Sequence, residues 1–262
     1  MASIDPVKGK HPMSTAKKLV ATAIATLSCA AWAAGEHPGH GTHWGYKGDV
    51  SPEKWQALKP EFAACAGKNQ SPVNITGTID ADMKPIKFDY KAGGGEVINN
   101  GHAVQVNFEP GSSVVVDGIA FELKQFHFHS PSENQINGKS FPLEAHLVHA
   151  DKDGNLTVVA VVFSEGKSNP AVAAAWSQMP KSEGGKNALP AKVSGTGLLP
   201  ANRDYYRYNG SLTTPPCTEG VRWIVMKQPM TVSKQQIEQF TNTLGFANNR
   251  PVQPVNARPV LR

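Results

Sequence analysis

The chain predicts a mainly β (α+β) single domain in which a few short peripheral helices flank an antiparallel sheet. Three observations lead there: apolar or alternating runs are short and broken by Gly, Pro and Asn, helix start signals are few, and no Gly/Ser/Pro linker divides the 262 residues. The strand candidates are 97–98, 103–108, 114–116, 120–128, 145–150, 157–163 and 221–226. The sequence Asp-Lys-Asp-Gly-Asn at 151–155 separates two of them and reads as a hairpin connection. Helices are expected after Ser51, with Pro52 at the first helical position, and after Asn169, with Pro170 first and an end near Gln178. A third follows Ser233, where Gln236 completes a capping box and Gly245 stops the helix. The Gly93-Gly94-Gly95 turn is too short to separate domains.

With 40% apolar and 18% charged residues, the composition is that of an ordinary globular protein. The formal charge of +5 is concentrated at the start: residues 1–34 hold Lys8, Lys10, Lys17 and Lys18 against Asp5, leaving 22 basic and 20 acidic side chains beyond them. So even a balance excludes nucleic acid as a partner class. From Met13 the order is Lys17-Lys18, an apolar run over 19–31, then Ala31-Trp32-Ala33-Ala34. This is the layout of a secretory signal at 13–34 cleaved after Ala33 or Ala34, with 1–12 a vector remnant or upstream start and the mature domain at 35–262. The run falls short of the ~20 apolar residues a membrane span needs. Thr26 is a poor lipobox residue ahead of Cys29. The chain is therefore expected to be exported. Removing the signal leaves Cys65 and Cys217, which in an exported protein pair with each other or stay as two inert buried thiols.

The chemistry-bearing strings are Gln125-Phe126-His127-Phe128-His129 and Glu144-Ala145-His146-Leu147-Val148-His149. Strand side chains alternate faces, so His127 and His129 point one way and Phe126 and Phe128 the other. A neighbouring strand carrying His146 supplies a third imidazole, and three neutral imidazoles leave a tetrahedral zinc one open position for water. The competing reading is a polar strand face with hydrogen-bonded histidines. Glu144 and Gln125 each stand two residues before a histidine, on its face, where they can accept the second ring N–H and fix the tautomer. His149 has the wrong parity to join His146 and reads as structural.

Taken with His43-Trp44-Gly45-Tyr46, Gln70-Ser71-Pro72-Val73-Asn74-Ile75, Asn99-Asn100-Gly101-His102, Ser130 to Asn134, Ser211 to Cys217 and Asn249-Arg250-Pro251, these strings make the chain resemble an α-class carbonic anhydrase of the exported bacterial type. The resemblance implies a large, mostly antiparallel twisted central sheet with zinc at the bottom of a cleft, and reversible hydration of carbon dioxide by zinc-hydroxide attack. Carried over by position, His127, His129 and His146 are the zinc ligands, and Gln125 and Glu144 the acceptors behind them. Thr213 accepts the hydroxide's hydrogen bond and donates to Glu133. Val148, Val158, Leu212, Val221 and Trp223 form the apolar wall for carbon dioxide, and Thr214 contacts bicarbonate. His102 is the proton shuttle, with Tyr46 and Asn100 ordering water. The resemblance further implies anion and sulfonamide inhibitors, cis bonds before Pro72 and Pro216, a Cys65–Cys217 bridge pinning the Thr213 loop, and allows an oligomer. Ser130-Pro131 and Gln105 depart from the animal pattern, and His37, His40 and His43 could hold a second metal weakly. Against the enzyme stand a catalytically dead binding module of the same fold and a metal-buffering protein using the N-terminal histidines. A zinc protease is disfavoured because no His-Glu-x-x-His helix occurs.

Overall fold

The computed structural model describes residues 43–262; the predicted signal segment, Cys29, His37 and His40 lie outside the described residues. Strands in chain order are β1 (Asn74–Ile75), β2 (Lys87–Asp89), β3 (Gly94–Asn99), β4 (Val104–Phe108), β5 (Ser113–Val116), β6 (Ile119–His129) and β7 (Gln135–Ile136). They continue with β8 (Leu143–Ala150), β9 (Leu156–Glu165), β10 (Lys186–Val193), β11 (Tyr205–Ser211), β12 (Glu219–Met226) and β13 (Met230–Val232). Eleven of them form one sheet whose main path runs β10-β3-β4-β6-β8-β9-β12-β11. Its pairings are antiparallel except where β9 meets β12 and β13. The mainly β expectation with a mostly antiparallel central sheet therefore holds.

Alternation sets the two faces. Phe126 and Phe128 of β6, with Ala145 and Leu147 of β8, point into the larger apolar core, which α2 (Pro170–Ala175) and α3 (Lys234–Leu244) help to close. Trp176 and Phe240 stack against each other and both meet Phe128 edge-on. Both of these helix starts are capped as the sequence requires. Asn169 accepts from Ala171 and Val172, Ser233 and Gln236 form the capping box, and Gly245 closes α3 in the left-handed region at φ 75°. The Gln236 amide also bonds both the N–H and the carbonyl of Asn169, tying the two helix starts together.

Two helix expectations are corrected. The segment after Ser51 begins as a 3-10 turn (Pro52–Lys54) and only then becomes the four-residue α1 (Trp55–Leu58). Ser51 makes no side-chain cap, its hydroxyl bonding the Glu53 carboxylate instead, while its carbonyl accepts from Lys54 N–H at 2.9 Å. The helix starting at Pro170 ends at Ala175, three residues short of Gln178. The 151–155 hairpin forms as read, with Asp151 Oδ1 accepting from the N–H groups of Asp153 and Asn155. Cis bonds precede Pro72 and Pro216 as expected, and a third precedes Pro131.

His149 faces the large core, as its parity predicts. Its Nδ1 can only donate to the Thr157 carbonyl, at 3.2 Å, so Nε2 accepts from the Tyr90 hydroxyl at 2.8 Å. Burial pushes this imidazole down to about 4, while an unfolded chain keeps it near 6.5. Between those values the unfolded state binds more protons, so stability rises with pH through that window and is lost as pH falls from about 6.5 to about 4. The contribution of this one group is about 3 kcal/mol. Denaturant unfolding at pH 7 and pH 5 should show a smaller acid loss for the Tyr90→Phe/His149→Leu double variant than for the wild type; equal losses would contradict the assignment.

Candidate metal centre

β6 and β8 pair so that His127 lies directly opposite His146, and His129 follows two residues on along the same face. One ligand atom from each of the three rings lies within 4.8 Å of the others. What makes the group more than a cluster is where the remaining nitrogens go. His127 Nδ1 donates to Gln125 Oε1 at 2.8 Å, His146 Nε2 to Glu144 Oε1 at 2.9 Å, and His129 Nδ1 to the Asn248 carbonyl at 2.8 Å. Each ring is thereby held in the tautomer that leaves one bare nitrogen on the side of the other two. His129 Nε2 is buried with no hydrogen-bond partner at all. Burial lowers the proton affinity of all three rings, reinforced at His127 and His146 by the neighbouring imidazoles, so they stand neutral. Neutral imidazole is the form a metal needs.

Glu144 is tightly held, accepting from Glu133 N–H, Asn134 N–H and Asn134 Nδ2 as well as from His146. Burial raises it to about 7, against the pull of those Asn134 bonds. Glu133, which in isolation would pass for a surface carboxylate, is buried. Its Oε1 accepts from Arg250 N–H at 2.8 Å, and its Oε2 lies 3.6 Å from His129 Nε2 and 3.8 Å from His146 Nδ1. Burial raises its pKa well above the carboxylate range, opposed by the Arg250 N–H and by the Thr213 hydroxyl.

Thr213 is buried in the turn after β11. That turn is pinned by Leu212 N–H to Thr218 O, by Cys217 N–H to Thr214 O, and by the disulfide between Cys65 and Cys217. At its root, Ser71 and Ser211 exchange backbone-to-hydroxyl bonds, and Gly210 permits the approach: a Cβ there would meet Ser71 Oγ at 2.1 Å. Beside the histidines, Val148, Val158, Val221 and Trp223 share one buried apolar cluster, with Leu212 packed against it. The Trp223 ring meets His146 edge-on at 4.9 Å. Thr214 is half-buried on the same turn.

His102 stacks on Trp44 with ring centres 3.7 Å apart and lies next to the exposed His43 at 5.5 Å. Burial first, then His43, lowers its pKa to about 4. Asn100 shapes the loop by accepting from His102 N–H and Ala103 N–H, and the half-buried Tyr46 packs on Trp44, Trp55 and Phe246. The pairing of Gln105 with His127 places that departure from the animal pattern beside the site, where its amide donates to Asn107.

Two supporting contacts are not legible as such in the sequence, although Arg250 stands in the Asn249-Arg250-Pro251 string. Asn248 supports His129 through a backbone carbonyl, which any residue type possesses. Arg250 is buried and donates to Gln70 Oε1, Ser71 O and Cys65 O, binding the disulfide segment to Glu133's neighbourhood.

Comparison with known proteins now gives the family. The family model described as eukaryotic-type carbonic anhydrase matches residues 50–262. The chain belongs to the α-class carbonic anhydrase family. It is thus a carbonate dehydratase, a carbon–oxygen lyase by class. A carbonic anhydrase of Neisseria gonorrhoeae is 50% identical over 242 residues, covering 92% of this chain and 95% of that one. One from Pectobacterium carotovorum is 48% identical over 220 residues, 84% and 90% of the two chains. The structure of the α-carbonic anhydrase of Thermovibrio ammonificans with the inhibitor sulfanilamide superposes at TM-score 0.83, with 52% identity, covering 85% of this chain and all of that one.

Proposed function

We propose that one zinc ion sits between His127, His129 and His146 and that the protein catalyses the reversible hydration of carbon dioxide to bicarbonate and a proton. The observation that carries this reading is the convergence of three tautomer-fixed, uncharged imidazoles, one of them presenting a buried nitrogen with no other partner. Three nitrogen donors, with no fourth His, Cys, Asp or Glu joining the group among the described residues, fit a catalytic rather than a structural zinc site. Bound there, zinc supplies a Lewis acid that brings the pKa of a water to about 7.

The protein's own groups do the rest. The Thr213 hydroxyl accepts a hydrogen bond from the attacking oxygen and donates its proton toward Glu133, which orients the lone pair at the substrate carbon. Val148, Val158, Leu212, Val221 and Trp223 offer carbon dioxide an apolar, water-poor wall, suited to a molecule without a net dipole. Thr214 contacts bicarbonate on the polar side. His102 relays the released proton to solvent through water ordered by Tyr46 and Asn100. Burial, with His43 nearby, leaves it a weaker base than a free imidazole, so the uncharged ring is the resting form and taking a proton from a water of pKa about 7 is uphill. Sulfonamides and small anions are the expected inhibitors, by analogy with the sulfanilamide complex of the Thermovibrio protein.

Export to the periplasm belongs to the same proposal. The Neisseria match covers 92% of this chain, more than residues 35–262 supply, so it runs into the segment read as a signal. A disulfide suits an oxidising compartment. Among the described residues, no helix is long and apolar enough to cross a membrane.

Stopped-flow hydration of carbon dioxide, with metal content measured on the same sample, tests the reading; stoichiometric zinc without hydration would favour the dead-module alternative. His102→Ala should leave the chemical step intact, slow turnover in weak buffer, and be rescued by added imidazole. Indifference to buffer in that variant would remove the relay assignment.

A further inference from the structure

We propose that the side-chain amide of Asn248 is a positioning clamp, joining the metal-bearing end of β6 to the loop that carries His102, so that metal retention and proton export depend on one residue. The inference rests on the reading of the site given above. Asn248 is fully buried, and every polar atom it has is engaged. Its carbonyl accepts from His129 Nδ1 at 2.8 Å and its N–H donates to Ser130 O at 3.3 Å. The side-chain oxygen accepts from Ser130 N–H at 2.8 Å, and the side-chain nitrogen donates to Phe128 O at 2.9 Å and to His102 O at 3.0 Å.

The reason for this arrangement lies in the sheet. β4 pairs with β6 only from Gln105 opposite His127 to Asn107 opposite Gln125, so beyond His127 the β4 side of β6 has no strand partner, while β8 still pairs with His129 on the other side. Phe128 C=O and Ser130 N–H are the two groups on that side that the next residues of β4 would have bonded. The chain has turned away there into the Asn100–Ala103 loop. An asparagine side chain is a peptide group on a one-carbon stem, with one acceptor and two donor hydrogens. It takes the place of the missing strand, satisfying the residues immediately before and after His129, and spends its second donor hydrogen on the His102 carbonyl. Buried backbone groups left without partners are costly, so the ligand's flanks would otherwise shift to find water.

The test compares holoprotein of the wild type with Asn248→Ala and Asn248→Asp. The alanine variant removes the whole amide; the aspartate keeps an acceptor for Ser130 N–H but sets a carboxylate oxygen against the Phe128 and His102 carbonyls. Both keep the backbone carbonyl that supports His129. Zinc release to an excess of dipicolinate should be at least roughly tenfold faster in both, the range known for loss of groups behind a metal ligand. The buffer-concentration dependence of carbon dioxide hydration should change in the same variants, whereas His102→Ala should change only the buffer dependence. Phe240→Leu, a core change on the opposite face, serves as a control for general loosening. Wild-type zinc release in both Asn248 variants, or equal acceleration by Phe240→Leu, would overturn the clamp while leaving the enzyme reading in place. If Asn248→Ala does not fold, the aspartate variant carries the comparison. Absence of zinc from the wild type would instead defeat the reading of the site.

Discussion

His129→Ala should reduce bound zinc to background and abolish carbon dioxide hydration, with a smaller effect on folding than on metal content. His129 provides a buried ring nitrogen, Nε2, for which the protein offers no hydrogen-bond partner, and it sits at the strand end between Phe128 and Ser130. Removing it leaves two imidazoles, too few to hold the ion against water. Losing a group merely behind a ligand costs about 10–100-fold in metal affinity, so losing the ligand itself must cost more. The apoprotein's fold loses one hydrogen bond to the Asn248 carbonyl, on the order of 1–2 kcal/mol. Metal analysis and stopped-flow rates on purified variant decide the matter. Stoichiometric zinc, or hydration within tenfold of the wild type, would mean that the three histidines are not the site.

How much of this was legible in the sequence depends on the range of the interaction. The His127/His129 pair and their opposite number His146 follow from strand alternation, and Gln125 and Glu144 from the same two-residue step, so these contacts could be read from local order. The support behind His129 could not, because it comes from a main-chain carbonyl 119 residues away. Strands buried on at least one face announced themselves by their apolar residues. β10 did not, since at the sheet's edge only Leu189 is buried and Pro190 interrupts the run. β11, with Arg207, Asn209 and Gly210 among its seven residues, looks like loop, yet Tyr205 and Tyr208 are buried. β1, β2, β7 and β13 have two or three residues each, too few for any period to show. His149 was separated from the ligands by parity alone, and its partner Tyr90 had no visible link to it in the chain.

Replacing both Cys65 and Cys217 by serine should lower stability by roughly 2–5 kcal/mol and weaken catalysis as well. The bridge joins positions 152 residues apart, for which chain entropy sets an upper value of about 5 kcal/mol. Its local setting argues that much of that value is expressed. Cys65 and Cys217 share a small apolar cluster with Trp55, and among the described residues Trp44, Tyr46, Leu58 and Phe62 pack around it, separate from the main core. So small a cluster gives the segment over 43–66 little hydrophobic hold of its own. Two consequences reach the site. Cys217 stands in the same turn as Thr213, and Cys65 O accepts from the Arg250 guanidinium whose backbone N–H meets Glu133. Trp44, which Tyr46 meets edge-on, is meanwhile the surface on which His102 stacks. Loosening the bridge should therefore disturb the Thr213 turn, the neighbourhood of Glu133 and the proposed relay at His102 together. Denaturant unfolding of the double serine variant against wild type measures the first effect, and hydration rates in strong and weak buffer the second. Wild-type stability and rates in that variant would show the bridge to be a passenger in an already self-sufficient fold.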